Sequence, residues 1–331
     1  MLSPHEVGAS GALFAEGLPA RTAARVPAGS VSFSGHETFA FRYTWLKKGV
    51  DGLAANPDIF RSERAIIDFG VGKNMVASIR HWGLATRVFQ EFETMPGSRV
   101  KPLSVSDFGH RMFADPDGWD PFLEDDATLW LLHWNLATNR RRATTWYWGF
   151  NLLREQEFSR DSLAENLERQ VAMWGWGKVS ASTLKSDLSC FLRTYTPGRR
   201  GANSTPEDTL DCPLAGLGLI VPAEDATKRL RFNNKPKATL PPEVFCVALL
   251  SFWAARHAEQ GTLSLREIVH GEAGPGRIFR LDEDTTLGYL DTLESLTNGK
   301  LRFDDTALLR QVAKYGEIDS NEILNAYYAT R

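Results

Sequence analysis

Residues 66–82, IIDFGVGKNMVASIRHW, constrain the fold more than any other stretch. An apolar run enters a Gly-x-Gly-Lys turn and leaves into a helix in which Met75, Ile79 and Trp82 recur at i, i+4 and i+7, on one face. Two architectures begin this way: a phosphate-cradling nucleotide loop and a helix-turn-helix. The nucleotide loop requires G-x-x-x-x-G-K-[ST]. Here Ile67 stands where the first glycine belongs, Asn74 where the hydroxyl belongs, and no downstream apolar run ends in a partner aspartate. The hydrolase reading fails. The polar side of the helix carries Asn74, Ala77, Ser78 and His81, flanked by Lys73 and Arg80. Small residues at the centre and cations at the edges suit a helix that enters the major groove of DNA.

The flanking sequence completes the unit. Ser34 and Glu37 have capping-box spacing, followed by a stripe of Phe39, Phe41, Trp45 and Leu46, so a helix is expected to end at Lys47, Lys48 and Gly49. Ser62 is expected to cap a second helix through Phe69. After Trp82 the period changes, and residues 88–93 and 100–105 predict a hairpin around Met95-Pro96-Gly97-Ser98 with Arg99 and Lys101 at its tip. Asp107–Phe113 closes the unit as a short helix. That order spells a winged helix-turn-helix over residues 31–116, preceded by a disordered or loosely docked arm over 1–30.

Residues 117–240 differ in composition. Eight of the ten tryptophans lie between Trp82 and Trp176, and helices are expected over 122–138, 145–157 and 180–195, with an exposed loop over 198–206. From residue 241 the plan repeats as a second winged-helix-like module: helices over 243–259, 264–270 and 282–296, then a strand at Leu301-Arg302-Phe303. The acids Asp282, Glu283 and Asp284 on its third helix would repel phosphate. The expected fold is therefore mainly α and multi-domain.

The net charge of −3 gives no global sign of nucleic-acid binding, but residues 31–112 carry eleven Lys/Arg against eight Asp/Glu, leaving −6 for the rest. Three scattered cysteines (Cys190, Cys212, Cys246) suggest inert thiols in a reducing cytoplasm, and no apolar run is long enough to span a membrane. The DNA-contact candidates are Lys47, Lys48, Lys73, Asn74, Ser78, Arg80, Arg99 and Lys101. His36 and Glu37, with Arg42 near, are the acid/base candidates for phosphodiester chemistry, against the capping role of Glu37. Glu124 and Asp125 are the candidates for a hard cation, Mg2+ or Mn2+, against a simple helix-dipole role. His133 reads as a packed core histidine, Lys185 with Asp187 as a weaker candidate site, and Arg140-Arg141-Arg142 as a solvated, phosphate-attracting loop.

Four strings together, GHETFAFRYTWLKKG (35–49), FGVGKNMVASIRHW (69–82), FLEDDATLWLLHWNL (122–136) and TLKSDLSCFLRTY (183–195), resemble the SspB-type proteins of bacterial single-strand DNA phosphorothioation systems. The resemblance implies a DNA-nicking component of an anti-phage defence system. It also implies partners: a cysteine desulfurase, an ATPase and an ATP-pyrophosphatase-type sulfur-transfer enzyme. The residues themselves display no recognised nuclease signature, neither D…ExK, HNH nor GIY-YIG. The alternative expectation is a non-catalytic DNA-binding adaptor that recruits the sulfur-transfer machinery or regulates its operon.

Overall fold

The structure, a computed structural model, describes residues 31–92, 101–197, 212–224, 228–306 and 309–331. The arm over 1–30, Arg99 with the hairpin tip, and the loop over 198–206 lie outside the described residues. The chain is mainly helical, with three small antiparallel sheets among the described residues.

The N-terminal unit opens with an irregular segment, 31–44, and continues with α1 (Trp45–Ala55), α2 (Ala65–Phe69), α3 (Lys73–Ala85), β1 (Phe89–Glu91), β2 (Leu103–Val105) and α4 (Asp107–Phe113). Gly70 ends α2 in the left-handed conformation, φ 63°, which a residue without Cβ adopts at no steric cost, and Gly72 is the N-cap of α3. β1 and β2 pair antiparallel with Phe89 opposite Val105. The capping box at Ser34 and Glu37 does not form. Ser34, Glu37 and Thr38 all have positive φ, and the first helix starts only at Trp45. Nor does Gly49 stop that helix: it lies inside α1, where a Cβ would come within 2.4 Å of the Phe89 ring. Gly83 of α3 meets the same ring, at 2.0 Å for a hypothetical Cβ. Phe89, 2% exposed, is thus wedged between two glycines that let α1 and α3 approach it.

The middle part contains α5 (Asp126–Thr138), α6 (Thr144–Asn151), β3 (Glu157–Phe158), α7 (Arg160–Trp174), α8 (Ala181–Tyr195), β4 (Ile220–Pro222) and β5 (Leu230–Phe232), with strand order β3-β5-β4. Every residue of α5 after Asp126 is buried, as expected of a helix apolar on all sides. Asp125 is its N-cap, so the expected start at residue 122 moves inward. α6 stops at Asn151, six residues earlier than the expected 157. The Asn151 side chain donates to the Ala137 and Tyr147 carbonyls and accepts from the Ala273 N–H at 2.6 Å.

The C-terminal part runs α9 (Pro242–Arg256), β6 (Thr262–Ser264), α10 (Leu265–His270), α11 (Pro275–Ile278), α12 (Glu283–Leu290), α13 (Leu293–Leu296), β7 (Leu301–Thr306), β8 (Leu309–Lys314) and α14 (Ser320–Tyr328). Its sheet order, β6-β8-β7, repeats that of the middle sheet: the first strand pairs with the last, and helices lie between the first and second. The chain then returns to the start of α5, where Tyr328 stacks on Trp119 and its hydroxyl lies 2.8 Å from Thr128 Oγ1.

His133 joins α5, α8 and α11. It is fully buried, its Nδ1 is 2.8 Å from the Tyr195 hydroxyl and its Nε2 is 3.0 Å from the Ile278 carbonyl. The carbonyl accepts, so the ring proton sits on Nε2 and Tyr195 donates to Nδ1. Burial lowers its pKa from 6.5 to about 3.

Two outcomes follow from this packing. Gly83→Ala should destabilise by about 1–3 kcal/mol because the methyl group meets the Phe89 ring, whereas Gly288→Ala in open space on α12 should stabilise by up to about 1 kcal/mol. Urea unfolding of the two variants separates these signs. Because the folded pKa of His133 is depressed, the unfolded chain takes up the extra proton. Its contribution to stability is complete above pH 6.5 and is lost as pH falls toward 3, with a slope of up to about 1.4 kcal/mol per unit. Unfolding midpoints between pH 4 and 7 should depend less steeply on pH in His133→Gln.

Candidate nucleic-acid interface

The candidate site is built around the segment 34–39, which lies between α3 and α8. Ser34, Gly35, Glu37 and Thr38 all adopt positive φ, a conformation unusual for side-chain-bearing residues. Tertiary hydrogen bonds hold it. His36 Nε2 and the Ser34 N–H both lie 2.7 Å from Asp187 Oδ1 on α8, and the Thr145 hydroxyl donates to Asp187 Oδ2. The Thr38 N–H donates to His36 Nδ1 at 3.0 Å, which leaves the ring proton on Nε2, facing the carboxylate. On the α3 side, the Ser78 hydroxyl donates to the His36 carbonyl at 2.6 Å and the Trp82 indole to the Phe39 carbonyl at 3.2 Å. On the α8 side, Cys190 Sγ also reaches the Phe39 carbonyl, and Arg193 donates to the Thr38 carbonyl. Gly35 is required here both for its φ of 95° and because a Cβ would come 2.8 Å from His81 Nδ1.

This arrangement places the acid/base candidates differently from one another. His36 is 1% exposed with both nitrogens engaged, so it positions the loop rather than facing solvent. Glu37 is exposed on the loop, and Arg42 lies over the rings of Phe39 and Trp45, 5.5 and 5.3 Å from their centroids. Ser78, expected on the groove side, is fully buried because the loop covers it. His81 lies against the same loop, and desolvation, assisted by His36, lowers its pKa to about 3.

Lys73, Asn74 and Ala77 are exposed on α3, with Arg80 half-buried two turns beyond Lys73 on the same side. Arg80 and Arg142 both pair with Glu91 of β1, so the α5–α6 loop joins this surface. A cavity of about 350 Å³ beside them is lined by Arg61, Arg80, Lys101, Asp58 and Glu91. Lys101 is exposed. Lys48 is exposed and donates to the Phe69 carbonyl, whereas Lys47 is buried between Asp51 at 2.5 Å and Asp115 at 2.6 Å. Desolvation is the largest single effect and lowers the Lys47 pKa, but the hydrogen bonds and charges of the two aspartates together outweigh it and raise the pKa.

The sequence marks Lys185 with Asp187 only as a weaker candidate, and does not join their helix to this surface. Ser182, Lys185, Ser186, Ser189 and Arg193 are exposed or half-buried on one side of α8, small and polar with cations among them. That is the pattern already visible on α3, so the signal was available in TLKSDLSCFLRTY. The loop 34–39 bridges the two helices.

Glu124 and Asp125 lie elsewhere, in an open groove of about 680 Å³ between the starts of α5 and α9 and the chain end. Asp125 Oδ1 accepts from the Ala127 N–H at 2.8 Å and from the Tyr327 hydroxyl at 3.0 Å, and Arg331 stands 3.7 Å from Oδ2. A carboxylate so engaged, with a guanidinium beside it, does not fit a hard-cation seat. Among the described residues, no three His, Cys, Asp or Glu side chains form a group able to hold a metal ion. Cys190, Cys212 and Cys246 are all free and buried, and no helix among the described residues is long and apolar enough to cross a membrane.

Comparison with known proteins identifies the class to which this arrangement belongs. The chain belongs to the DUF4007 family, described as a protein of unknown function, whose profile matches residues 33–328. Among solved structures, it is similar to one described as "SspB crystal structure", with 27% sequence identity over 91% of this chain and 90% of that one, at a TM-score of 0.80. It is likewise similar to one described as "Magnesium ion-bound SspB crystal structure", with 27% identity over 94% and 91% of the two chains, at a TM-score of 0.81. The resemblance to SspB-type proteins carried by the four strings therefore extends over the whole fold. No curated protein matches the chain.

If Asp187 holds the 34–39 segment, Asp187→Ala leaves buried donors unpaired and should cost about 3–5 kcal/mol. Limited proteolysis should then cut within 31–44 well before the rest of the chain. Unchanged stability and an unchanged cleavage pattern would contradict that role.

Proposed function

We propose that this protein is the DNA-gripping, strand-nicking component of a cytoplasmic phosphorothioation-type anti-phage defence system. The observation that carries the reading is the joining of two polar, cation-bearing helix sides, on α3 and α8, by the pinned loop 34–39. The order α1, α2, α3, β1, β2, α4 supports a winged helix-turn-helix in which α3 enters the major groove and the hairpin follows the backbone. Lys73, Asn74, Arg80, Lys48, Lys101 and Arg99 are the proposed DNA contacts from the N-terminal unit, and Lys185 and Arg193 extend the track. Lys47 is held by its two aspartates and supports α1 instead. The likeness to SspB supports the phosphorothioation context and, with it, partners of the ATPase, sulfur-transfer and cysteine-desulfurase kinds.

Nicking is phosphodiester hydrolysis. Glu37 and Arg42 are the solvent-reaching members of the proposed catalytic set, with His36 as their positioning residue. The similar structure described as magnesium ion-bound SspB supports Mg2+ as the ion to test, with Mn2+ as its usual substitute. The adaptor reading is favoured by one observation: both nitrogens of His36 are occupied, which leaves the ring no free proton-transfer position.

Supercoiled plasmid incubated with purified protein, with and without Mg2+ or Mn2+, separates the two readings. Nicking predicts accumulation of the open-circular form, with Glu37→Gln slower by at least about tenfold. A persistent gel shift with no nicked product under either metal replaces the nickase with the adaptor. Binding itself is tested by Lys73→Ala/Arg80→Ala, which should lower the slope of log K against log salt by roughly 2, since each neutralised phosphate contributes about 0.9. An unchanged slope would remove α3 from the interface.

A further inference from the structure

Arg140, the first residue of the Arg140-Arg141-Arg142 run, is not the solvated loop residue its sequence suggests. It is 9% exposed, and its Nε is buried without an acceptor. Its side chain makes no hydrogen bond or ion pair with any described residue and lies only over the Tyr147 ring, 5.9 Å from the centroid. Arg256, at the end of α9, is also 9% exposed in its side chain and has the same orphaned Nε. Its Nη2 lies 3.4 Å from the Tyr147 hydroxyl and 3.3 Å from Glu272 Oε1, and the Tyr147 hydroxyl itself donates to that same oxygen. Arg277 of α11 acts electrostatically on Glu272 and Tyr147 from the side, while its Nη1 donates to the Asn151 carbonyl.

The charge balance is uneven. Arg256 and Arg277 act on the Glu272 carboxylate, while Arg140 acts on the Tyr147 side chain, whose hydroxyl donates to that carboxylate. Three guanidinium groups thus share one carboxylate, and two positive charges are left over in a largely buried place. A cation–π contact returns less than the burial of an unpaired ion costs. The Tyr147 ring therefore does not compensate Arg140. Buried donors in folded proteins are nearly always matched, and the missing partner here is an anion of charge near −2 with several acceptor oxygens. A phosphate monoester or inorganic phosphate has that charge at neutral pH, and guanidinium forks with a hydroxyl donor match its oxygens. The side chain of Glu272, one-third exposed, already places one anionic oxygen against Tyr147 and Arg256 and marks the opening to solvent.

We propose that Arg140 and Arg256 form a receptor for a phosphate-type dianion, seated where α6, α9 and the α5–α6 loop meet, with the Tyr147 hydroxyl turning its single proton from Glu272 to the anion as it binds and the Glu272 carboxylate giving way toward solvent. The inference does not rest on the DNA-contact reading. The site also has a connection to that surface: Arg142, two residues from Arg140, pairs with Glu91 beside Arg80. An anion on Arg140 would thus fix the loop that also borders α3.

Thermal unfolding of the full chain, titrated with inorganic phosphate against chloride at matched ionic strength, tests the proposal. Phosphate should raise the melting temperature saturably, and Arg140→Gln should weaken the apparent affinity by at least about tenfold. In chloride alone Arg140→Gln should be no less stable than the parent, because it removes an uncompensated charge. Tyr147→Phe keeps the ring and loses the hydroxyl, so it should weaken phosphate binding by a smaller factor and serves if Arg140→Gln does not fold. Anisotropy with short oligonucleotides bearing a 5′-phosphate or a 5′-hydroxyl distinguishes the sources. A preference for the phosphorylated end that Arg140→Gln abolishes assigns the seat to a strand terminus, while phosphate binding without that preference assigns it to a free phosphate. Equal effects of phosphate and chloride, or equal phosphate responses of parent, Arg140→Gln and Tyr147→Phe, would overturn the proposal.

Discussion

The His36–Asp187 pair is the contact on which the candidate surface depends. It sits 151 residues apart in sequence, is almost completely buried, and converts a run of left-handed backbone into a fixed bridge between α3 and α8. Three donors on one carboxylate compensate its desolvation, which a lone buried pair does not achieve. Without this pin the segment 34–39 has only the covering contacts of Ser78, Trp82, Cys190 and Arg193 to hold it. The two helix sides would then be separate polar patches.

Neighbouring contacts extend the same logic. Asn139, the C-cap of α5, donates to the Leu84 and Ala85 carbonyls at the end of α3, and Arg87 donates to Asn135 and Thr138 of α5. The helix proposed for the groove is therefore fixed at its far end to α5, a helix buried along its whole length after Asp126. Lys73 and Asn74 remain exposed at its near end. A rigid helix with a free N-terminal turn suits phosphate contact, because the backbone N–H groups there also face outward.

Local signals in the chain were legible where local chemistry decides structure. The glycine turn before α3, the short helix Asp107–Phe113 and the helix that ends at Tyr195 lie where the pattern places them. The burial of His133 is also legible, since it stands between two tryptophans in an apolar run. Tertiary competition explains the failures. Ser34 and Glu37 have the spacing of a capping box, but the Ser34 N–H goes to Asp187 and the backbone turns left-handed instead. Gly49 looks like a helix stop, yet it is a clearance for Phe89, a role that depends on a strand forty residues away. Arg140 looks solvated because a three-arginine run usually is, and only the folded chain shows it against Tyr147. Among the candidate site residues, exposure separates Lys48, Lys73, Asn74 and Lys101 from Lys47 and Ser78, a distinction that spacing on one helix face does not contain.

Cross-linking reads the surface directly. The full chain bound to a DNA duplex carrying photoreactive bases is irradiated, digested and mapped by mass spectrometry. The account predicts cross-linked peptides from 34–42, 73–87 and 181–193 together. Cross-links confined to the C-terminal part, with none to α3 or α8, would contradict it.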